Sequence, residues 1–586
     1  MMKRVLRPLP PAVITLALLV ALLPGELVGA SDADIVLISI MQPPPPPNTY
    51  YLTENTLLGT LDPQRASDPI SIDAVENLFL GLTDTDPLTP GSFVPELATD
   101  WEVNEDGTQW TFTIRTDVPW VRWNPNTETA EIVRMVTAGD IAFGIQRACD
   151  PRLGNYYSSV AARVILGCDT IAQKSPDEVS DADYEQVQVT APDDATLIVN
   201  LQFAASYFFS QTAMWMYRPV PREAVEEFGD DWTAIGNLMT NGPFVLDEYV
   251  RGVRRTFLRN PHLPDDLRGP GNVERVFVVV VEDDSTRFAL YQDNQIDRSQ
   301  IPPAELESVL NNPAYEGQVF RLPTLAVRFF GFAHDRPPFD NVHLRRAFSA
   351  ALDRSAMVQA VQQNRGIPII HLTPPGIFGA PPINEVGVGY DPDYARAEME
   401  AAGYPNCEGL PPLNIVTYAQ DGDWGEFLAA SIQQVLGCDA ELLNVNSQEF
   451  SVLLEATGSS NPADARPHLW ASSWGPDYPD AHNWVGDVLS CEGENSIRRP
   501  CSPVDDLIAE AALESNPDNR LELYYRIEEM FFGAEGEHPI IPLWLEFETV
   551  LFKPWVEGPF GTDALFGGDH YDWYSVDQAA QLAARD

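Results

Sequence analysis

Arg275-Val276-Phe277-Val278-Val279-Val280-Val281 is an apolar run with no polar alternation after its first residue. Valine is stiff at χ1 and suits a pleated surface. A short continuous apolar run marks a strand buried on both faces, unlike the alternating pattern of a strand with one face in water. The alternating pattern occurs elsewhere: Trp110, Phe112 and Ile114 are spaced by polar residues, and so are Leu197, Val199 and Leu201. Helical stretches lie between such strands and have marked edges. Thr137 and Asp140 form a capping-box-like start for residues 141–148. Asp391-Pro392 supplies a cap and a first-turn proline for 394–402, and Gly403 stops that helix. Asn341 caps a helix running through Arg345 to Leu352. Strands and helices alternate along the chain, so the fold class is α/β.

Residues 1–30 have the form of an export signal. Lys3, Arg4 and Arg7 precede an apolar core over 12–23, and Val28-Gly29-Ala30 offers small residues for cleavage. The core is short of the roughly 20 apolar residues a membrane span needs. Leu27-Val28-Gly29-Ala30 has the shape of a lipoprotein box, but Ala30 stands where the lipidated Cys would be, so the chain is not a lipoprotein at that position. Residues 31–48 read as a tether ending in the stiff run Pro43 to Pro47. The folded body then starts near Thr49. About 535 residues remain, enough for two or three lobes.

Six cysteines follow the signal: Cys149, Cys168, Cys407, Cys438, Cys491 and Cys501. An even number in an exported chain points to disulfides. Pairing by proximity gives 149–168, 407–438 and 491–501, one of the 15 connectivities that six cysteines allow. There is no CxxC and no Cys/His cluster with zinc spacing, and nothing calls for a cofactor. The net charge is −50, with 86 acidic against 36 basic residues. Phosphates would be repelled, which argues against a nucleic-acid partner. A salty habitat and a drift of composition toward Arg and Asp are both compatible with this charge.

Trp474-Gly475-Pro476-Asp477-Tyr478-Pro479-Asp480 places one carboxylate, Asp477, among aromatics and rigid prolines. A carboxylate held there is suited to a ligand ammonium group, because excluding water strengthens the pair. The plain alternative is a turn on a surface loop.

Further blocks carry a resemblance across nearly the whole mature chain. They include Gly59-Thr60-Leu61-Asp62-Pro63, Asn77-Leu78-Phe79-Leu80-Gly81-Leu82, 95–102, 107–115 and 137–151. They continue with Pro219-Val220-Pro221-Arg222-Glu223-Ala224-Val225, Thr240-Asn241-Gly242-Pro243-Phe244, 259–261, 336–354, 539–544 and 553–556. In order and spacing these resemble the extracellular solute-binding proteins, family 5, of bacterial ABC transporters, in the oligopeptide- and dipeptide-binding class. The resemblance implies a periplasmic-binding-protein-like type II clamshell in its large three-lobed form, with two hinge crossings near 320 and 540. Lobe I would be built from 49–76, 196–320 and 541–586, lobe II from the insertion 77–195, and lobe III from 321–540.

The resemblance also implies an exported binding protein, in the periplasm or on the outer face of the membrane, that works as a monomer and is not an enzyme. It would bury an extended short peptide between lobes and pass it to ABC permease and ATPase subunits. Asp477 takes the position of the family's ammonium-binding aspartate, and Tyr157, with Tyr156 beside it, that of a ligand-contacting tyrosine. Trp474, Gly475 and Tyr478 belong to the same wall. The chain departs from the pattern at Ala471, where some relatives carry an arginine for the ligand carboxylate, and at Trp424, where one has a histidine. The direction of the nearby Arg466 is open.

Three other readings compete. The same fold would also serve a nickel complex, a sugar or a cationic small molecule, with His334, His371 and His468 as conceivable metal contacts. A secreted hydrolase lacks support, since neither G-x-S-x-G nor H-E-x-x-H occurs. A peptide receptor without transport is indistinguishable at this level.

Overall fold

The computed structural model describes residues 48–363, 365–419, 422–458, 461–493 and 497–585. The export signal and the tether up to Pro47 lie outside the described residues.

The valine run is the strand Arg275–Val280, second in a four-stranded sheet. Thr49–Glu54 pairs with it in parallel on one edge, and Arg254–Arg259 antiparallel on the other. Phe244–Val250 completes the sheet. Val276 and Val278 enter the main core, whereas Phe277 and Val279 point the other way into a small cluster with Val281. Both faces are therefore dry, as an unbroken apolar run requires.

A second four-stranded sheet, in the order Ala98–Val103, Gln109–Ile114, Thr196–Asn200 and Val189–Asp193, joins the same core. Trp110, Phe112 and Ile114 face inward, as do Leu197 and Val199. The helix Ala138–Ala148 packs against it. At its start the Asp140 carboxylate accepts the Thr137 N–H at 2.9 Å. The other expected helices are Val342–Ala350, capped by Asn341, and Pro392–Ala401, capped by Asp391. Gly403, which follows the latter, has φ +90°, a conformation that costs glycine little.

The third sheet has seven strands and holds the second core. Two long strands, Val319–Phe332 and Ile540–Phe552, run antiparallel at its centre. Their register is interrupted between the pairs Pro323–Phe547 and Val327–Leu545. Before the interruption Phe320 and Leu322 pack on the first core; after it Leu325 and Val327 belong to the second. On the returning strand Ile540, Ile541, Leu543, Trp544 and Leu545 lie in the second core, and Val550 and Phe552 in the first. The strands Leu469–Trp474, Leu413–Tyr418 and Leu443–Gln448 extend the sheet beyond Val319–Phe332. The cysteines pair as 149–168, 407–438 and 491–501. Among the described residues no helix is long and apolar enough to cross a membrane.

A buried ionic cluster ties the first core together. Arg218, fully enclosed, reaches Asp84 at 3.1 Å, Glu96 at 3.4 Å and Glu76 at 3.5 Å. His570, from the C-terminal segment, pairs with Asp563 at 2.6 Å and Asp84 at 3.3 Å. Burial pushes the Glu76 and Glu96 carboxyls up. Burial opposes the Asp84 carboxylate too, but Arg218 and His570 together hold it below its usual range. Removing the central cation strands the buried acids, a loss of about 3–5 kcal/mol. Arg218→Met is therefore expected to destabilise the protein by that amount in denaturant melts at pH 8. The deficit should be smaller at pH 5, where protonating Glu76 and Glu96 costs less.

Candidate functional site

The strand Leu469–Trp474 leads directly into the acidic turn. One edge pairs with the long strand, from Leu469–Phe332 to Trp474–Val327. Leu413–Tyr418 runs beside the other edge only at Ile415–Leu469 and Val416–Trp470. Among the described residues, Ala471 to Trp474 therefore have a strand partner on one side only. Gly475 follows with open space where a Cβ would project. A strand with one free edge is suited to accept an extended peptide as an added strand.

Asn483, fully buried, fixes the turn. Its Oδ1 accepts the Asp477 N–H at 2.9 Å, and its Nδ2 donates to Asp477 Oδ2 at 2.9 Å and to Asp487 Oδ2 at 3.1 Å. Asp480 anchors the end of the turn through Arg520, at 2.6 and 2.8 Å. Sequence reasoning missed both. An Asn six residues after an Asp carries no signal until the chain turns back between them.

The opposite wall brings Tyr157. It follows Asn155, whose Oδ1 accepts the Tyr157 N–H at 2.9 Å and whose Nδ2 donates to Ala148 O at 2.9 Å. The 149–168 disulfide closes the same loop. The Tyr157 ring meets Trp215 edge-on at 5.0 Å, and its hydroxyl side acts on the Asp477 carboxylate. Burial, then the Asp477 charge, pushes the Tyr157 phenol up. Burial likewise pushes the Asp477 carboxyl up to about 7, against the lowering effect of Asn483 and Tyr157. Among the described residues Asp477 has no ion-pair partner. Tyr156 is 77 % exposed and reaches the site only through its ring contact with Tyr157.

Tyr478 does not face the same space. Its ring is buried in the first core against Tyr207, and its hydroxyl donates to Asp487 at 2.8 Å and lies 3.0 Å from His482 Nδ1. The Tyr207 ring also stacks on His482, with centroids 3.7 Å apart. Arg163 reaches Asp487 at 3.2 Å, and the Ser206 N–H donates to Ala512 O at 2.8 Å. The two cores thus meet directly at this point.

Near this contact is a cavity of about 530 Å³, within the usual range for ligand sites. Tyr157, Trp215 and Pro476 form one end, and the hinge residues Leu322, Pro323 and Thr324 form a side. The remaining positions raised by the sequence point elsewhere. Ala471 and Trp424 are buried, and Arg466 is turned to Asp335 at 2.9 Å. His334 lies 3.0 Å from Pro539 O, His468 Nδ1 accepts the Asn414 N–H at 2.9 Å, and His371 is enclosed elsewhere. No group of three or more candidate metal ligands assembles among the described residues.

An ionised Asp477 is costly in this enclosed place. Its folded carboxyl lies above its unfolded value, so it favours the fold at low pH and that benefit is lost as pH rises toward 7. Ligand-free Asp477→Asn is expected to melt about 1–3 °C above the parent at pH 8, with a smaller gap at pH 5. Separately, Tyr207→Ala removes a lobe contact that touches no ligand. X-ray scattering should show a larger radius of gyration, and apparent ligand affinity should fall by about tenfold if the closed fraction does.

Comparison with known proteins agrees with this geometry. The family model described as bacterial extracellular solute-binding proteins, family 5 Middle, matches residues 92–496. The probable deoxycholate-binding periplasmic protein YgiS of Escherichia coli is 26% identical over 510 residues, 85% of this chain and 88% of that protein. The periplasmic oligopeptide-binding protein OppA of Escherichia coli is 26% identical over 517 residues, 86% of this chain and 88% of that protein. The unliganded open form of the periplasmic murein tripeptide-binding protein MppA superposes with a TM-score of 0.71 at 24% identity, covering 90% of this chain and 96% of that one. These relatives share the large clamshell fold, and the chain belongs to the bacterial extracellular solute-binding proteins, family 5.

Proposed function

We propose that this chain is the extracytoplasmic substrate-binding component of an ABC importer and that it captures short peptides in the closed cleft. The observation that carries this reading is a half-paired strand running into an aspartate with no cation of its own. The free edge of 471–474 offers backbone groups to a peptide backbone whatever its sequence, and Asp477 supplies the charge for an N-terminal ammonium group. Trp474, Gly475 and Tyr157 wall that position. Tyr478 holds the turn from behind, and Tyr156 borders the entrance. The protein performs no covalent chemistry in this role; separate subunits hydrolyse ATP, and the closed protein docks on the permease.

The lobes follow from the same reading: 49–76, 196–320 and 541–586 as lobe I, 77–195 as lobe II and 321–540 as lobe III. The break in register at 323–327 and 545–547 is where we place the hinge, because packing changes from one core to the other there. Residues 1–30 would direct export, leaving the protein in the periplasm or at the outer face of the membrane. A carboxylic-acid solute fits less well, since Asp477 would repel it.

Calorimetry with Ala-Ala-Ala and its N-acetylated form tests the assignment. The free amine should bind at least about 100-fold more tightly, and Asp477→Ala should remove that advantage with circular dichroism unchanged. Tight binding of the free peptide should also weaken by up to about tenfold per pH unit below pH 7 as Asp477 takes up a proton. Equal affinity for both peptides in the parent protein would sink the ammonium role.

A further inference from the structure

The cavity continues from Pro476 along a wall rich in carboxyl groups. Five carboxylates line it: Glu54, Asp73, Glu548, Asp563 and Asp569. Three are neutralised within the protein: Glu54 by Arg255, Asp569 by Arg298 and Asp563 by His570. The cavity's two arginines are committed as well. Arg298 is held by Asp569, and Arg287 by Asp284 and by the Val281 carbonyl at 2.9 Å and the Glu282 carbonyl at 3.0 Å. Among the described residues Asp73 and Glu548 have no ion-pair partner. Asp73 accepts only neutral donors, the Tyr571 hydroxyl and the Asp569 N–H, the latter at 2.8 Å. Glu548 accepts Gln300 Nε2 at 3.2 Å.

The pairing of Asp73 with Asp569 is imposed by the backbone. At Gly568 a Cβ would overlap the Asp73 backbone, so only glycine lets the C-terminal segment lie on the helix Pro69–Leu78 this closely. Two carboxyls are thereby pressed together in a place where burial, then the Asp569 charge, pushes the Asp73 carboxyl up. Adjacent buried carboxylates resist joint ionisation until a cation arrives.

A second observation is independent of the acids. The Tyr50 hydroxyl is buried, its residue 1 % exposed, and has no hydrogen-bond partner. The charges acting most on it are Arg298, Asp569, Asp297 and Asp563, and three of these four residues line the cavity. Tyr50 lies behind the cavity lining rather than in it, and a buried hydroxyl without a partner is a costly arrangement that a water would relieve. Phe560 and Trp215 in the same lining add aromatic faces of the kind that attract a cation.

We propose that this part of the cavity is a specificity pocket for a second positive charge on the ligand, the side chain of a lysine or arginine in the peptide, recognised by Asp73 and Glu548. The inference rests on the peptide reading above and narrows it to basic peptides. A lysine or arginine side chain would give the two acids the cation they lack. A glutamate side chain would meet the same two acids with both arginines already engaged.

The test is calorimetry on the full chain with Ala-Ala-Ala and with lysine and glutamate placed in turn at each of its three positions. One lysine position should bind about tenfold or more tightly than its glutamate counterpart, and the ratio should collapse toward one in Asp73→Asn/Glu548→Gln, whatever its absolute affinities. Glu548→Gln alone, at a half-exposed position, should lower the ratio part way and serves if the double variant does not fold. If Ala-Ala-Ala binds and no position prefers lysine, or if the preference survives in the folded variants, the pocket is wrong while the peptide reading stands. If none of the peptides binds, both are wrong.

Discussion

The antiparallel ladder between Val319–Phe332 and Ile540–Phe552 is the constraint on which the molecule depends. Among the described residues it is the one pair of strands that crosses from core to core, and both partners cross together. A strand resists bending where its ladder is intact. Here the ladder lapses between Pro323 and Val327, Pro323 lacks an N–H to donate, and Leu325 takes a left-handed φ of +54°. The weak point therefore falls between two well-paired halves, each welded to its own hydrophobic cluster. Such a connection permits rotation of one body against the other while limiting their separation.

Closing that connection brings together groups of different kinds. On the Tyr207 side the contact is among neutral rings and one largely buried ion pair, Arg163 with Asp487: burial keeps His482 below its usual range and so uncharged, and its stack with Tyr207 needs no ligand. At Asp477 closure would remove water from an acid that has no ion-pair partner among the described residues. The first contact favours the closed form and the second opposes it until a cation enters. A ligand acts on such a balance only through its differential affinity for the two forms. Asp477 and the latch thus have opposite signs, and under the proposed function a ligand ammonium group would decide between them.

Much of this was legible in the sequence wherever the governing contact was local. Caps are read from three or four residues, so Thr137, Asn341 and Asp391 mark their helices correctly. The valine run declares two dry faces because each side chain must be buried somewhere. The three disulfides join cysteines 10 to 31 residues apart, which proximity alone suggests. Long-range contacts left no such trace. Asp73 meets residue 569, and Glu76 meets Gly568, across nearly 500 residues. Tyr478 reads as a site aromatic but packs inward, because alternation after Pro476 places it opposite the cleft, against Tyr207. Arg466, near in sequence to the turn, leaves it for Asp335. Family resemblance named the aspartate; only the fold shows that Asn483 aims it.

The acidic character of the chain has two separable consequences for a cationic ligand. Most of the −50 net charge lies on the surface, where salt screens it beyond about 8–10 Å. Surface charge speeds encounter with a cation at low ionic strength and contributes little once the ligand is held. Asp73 and Glu548 line the cavity and Asp477 is buried beside Pro476 at its end, where screening by salt is weaker than at the open surface. Their effect belongs to the lifetime of the complex rather than to its formation. Raising salt should therefore slow capture while leaving discrimination between basic and acidic ligands nearly intact, so the surface sets how fast a ligand is found and the cleft sets which ligand is kept.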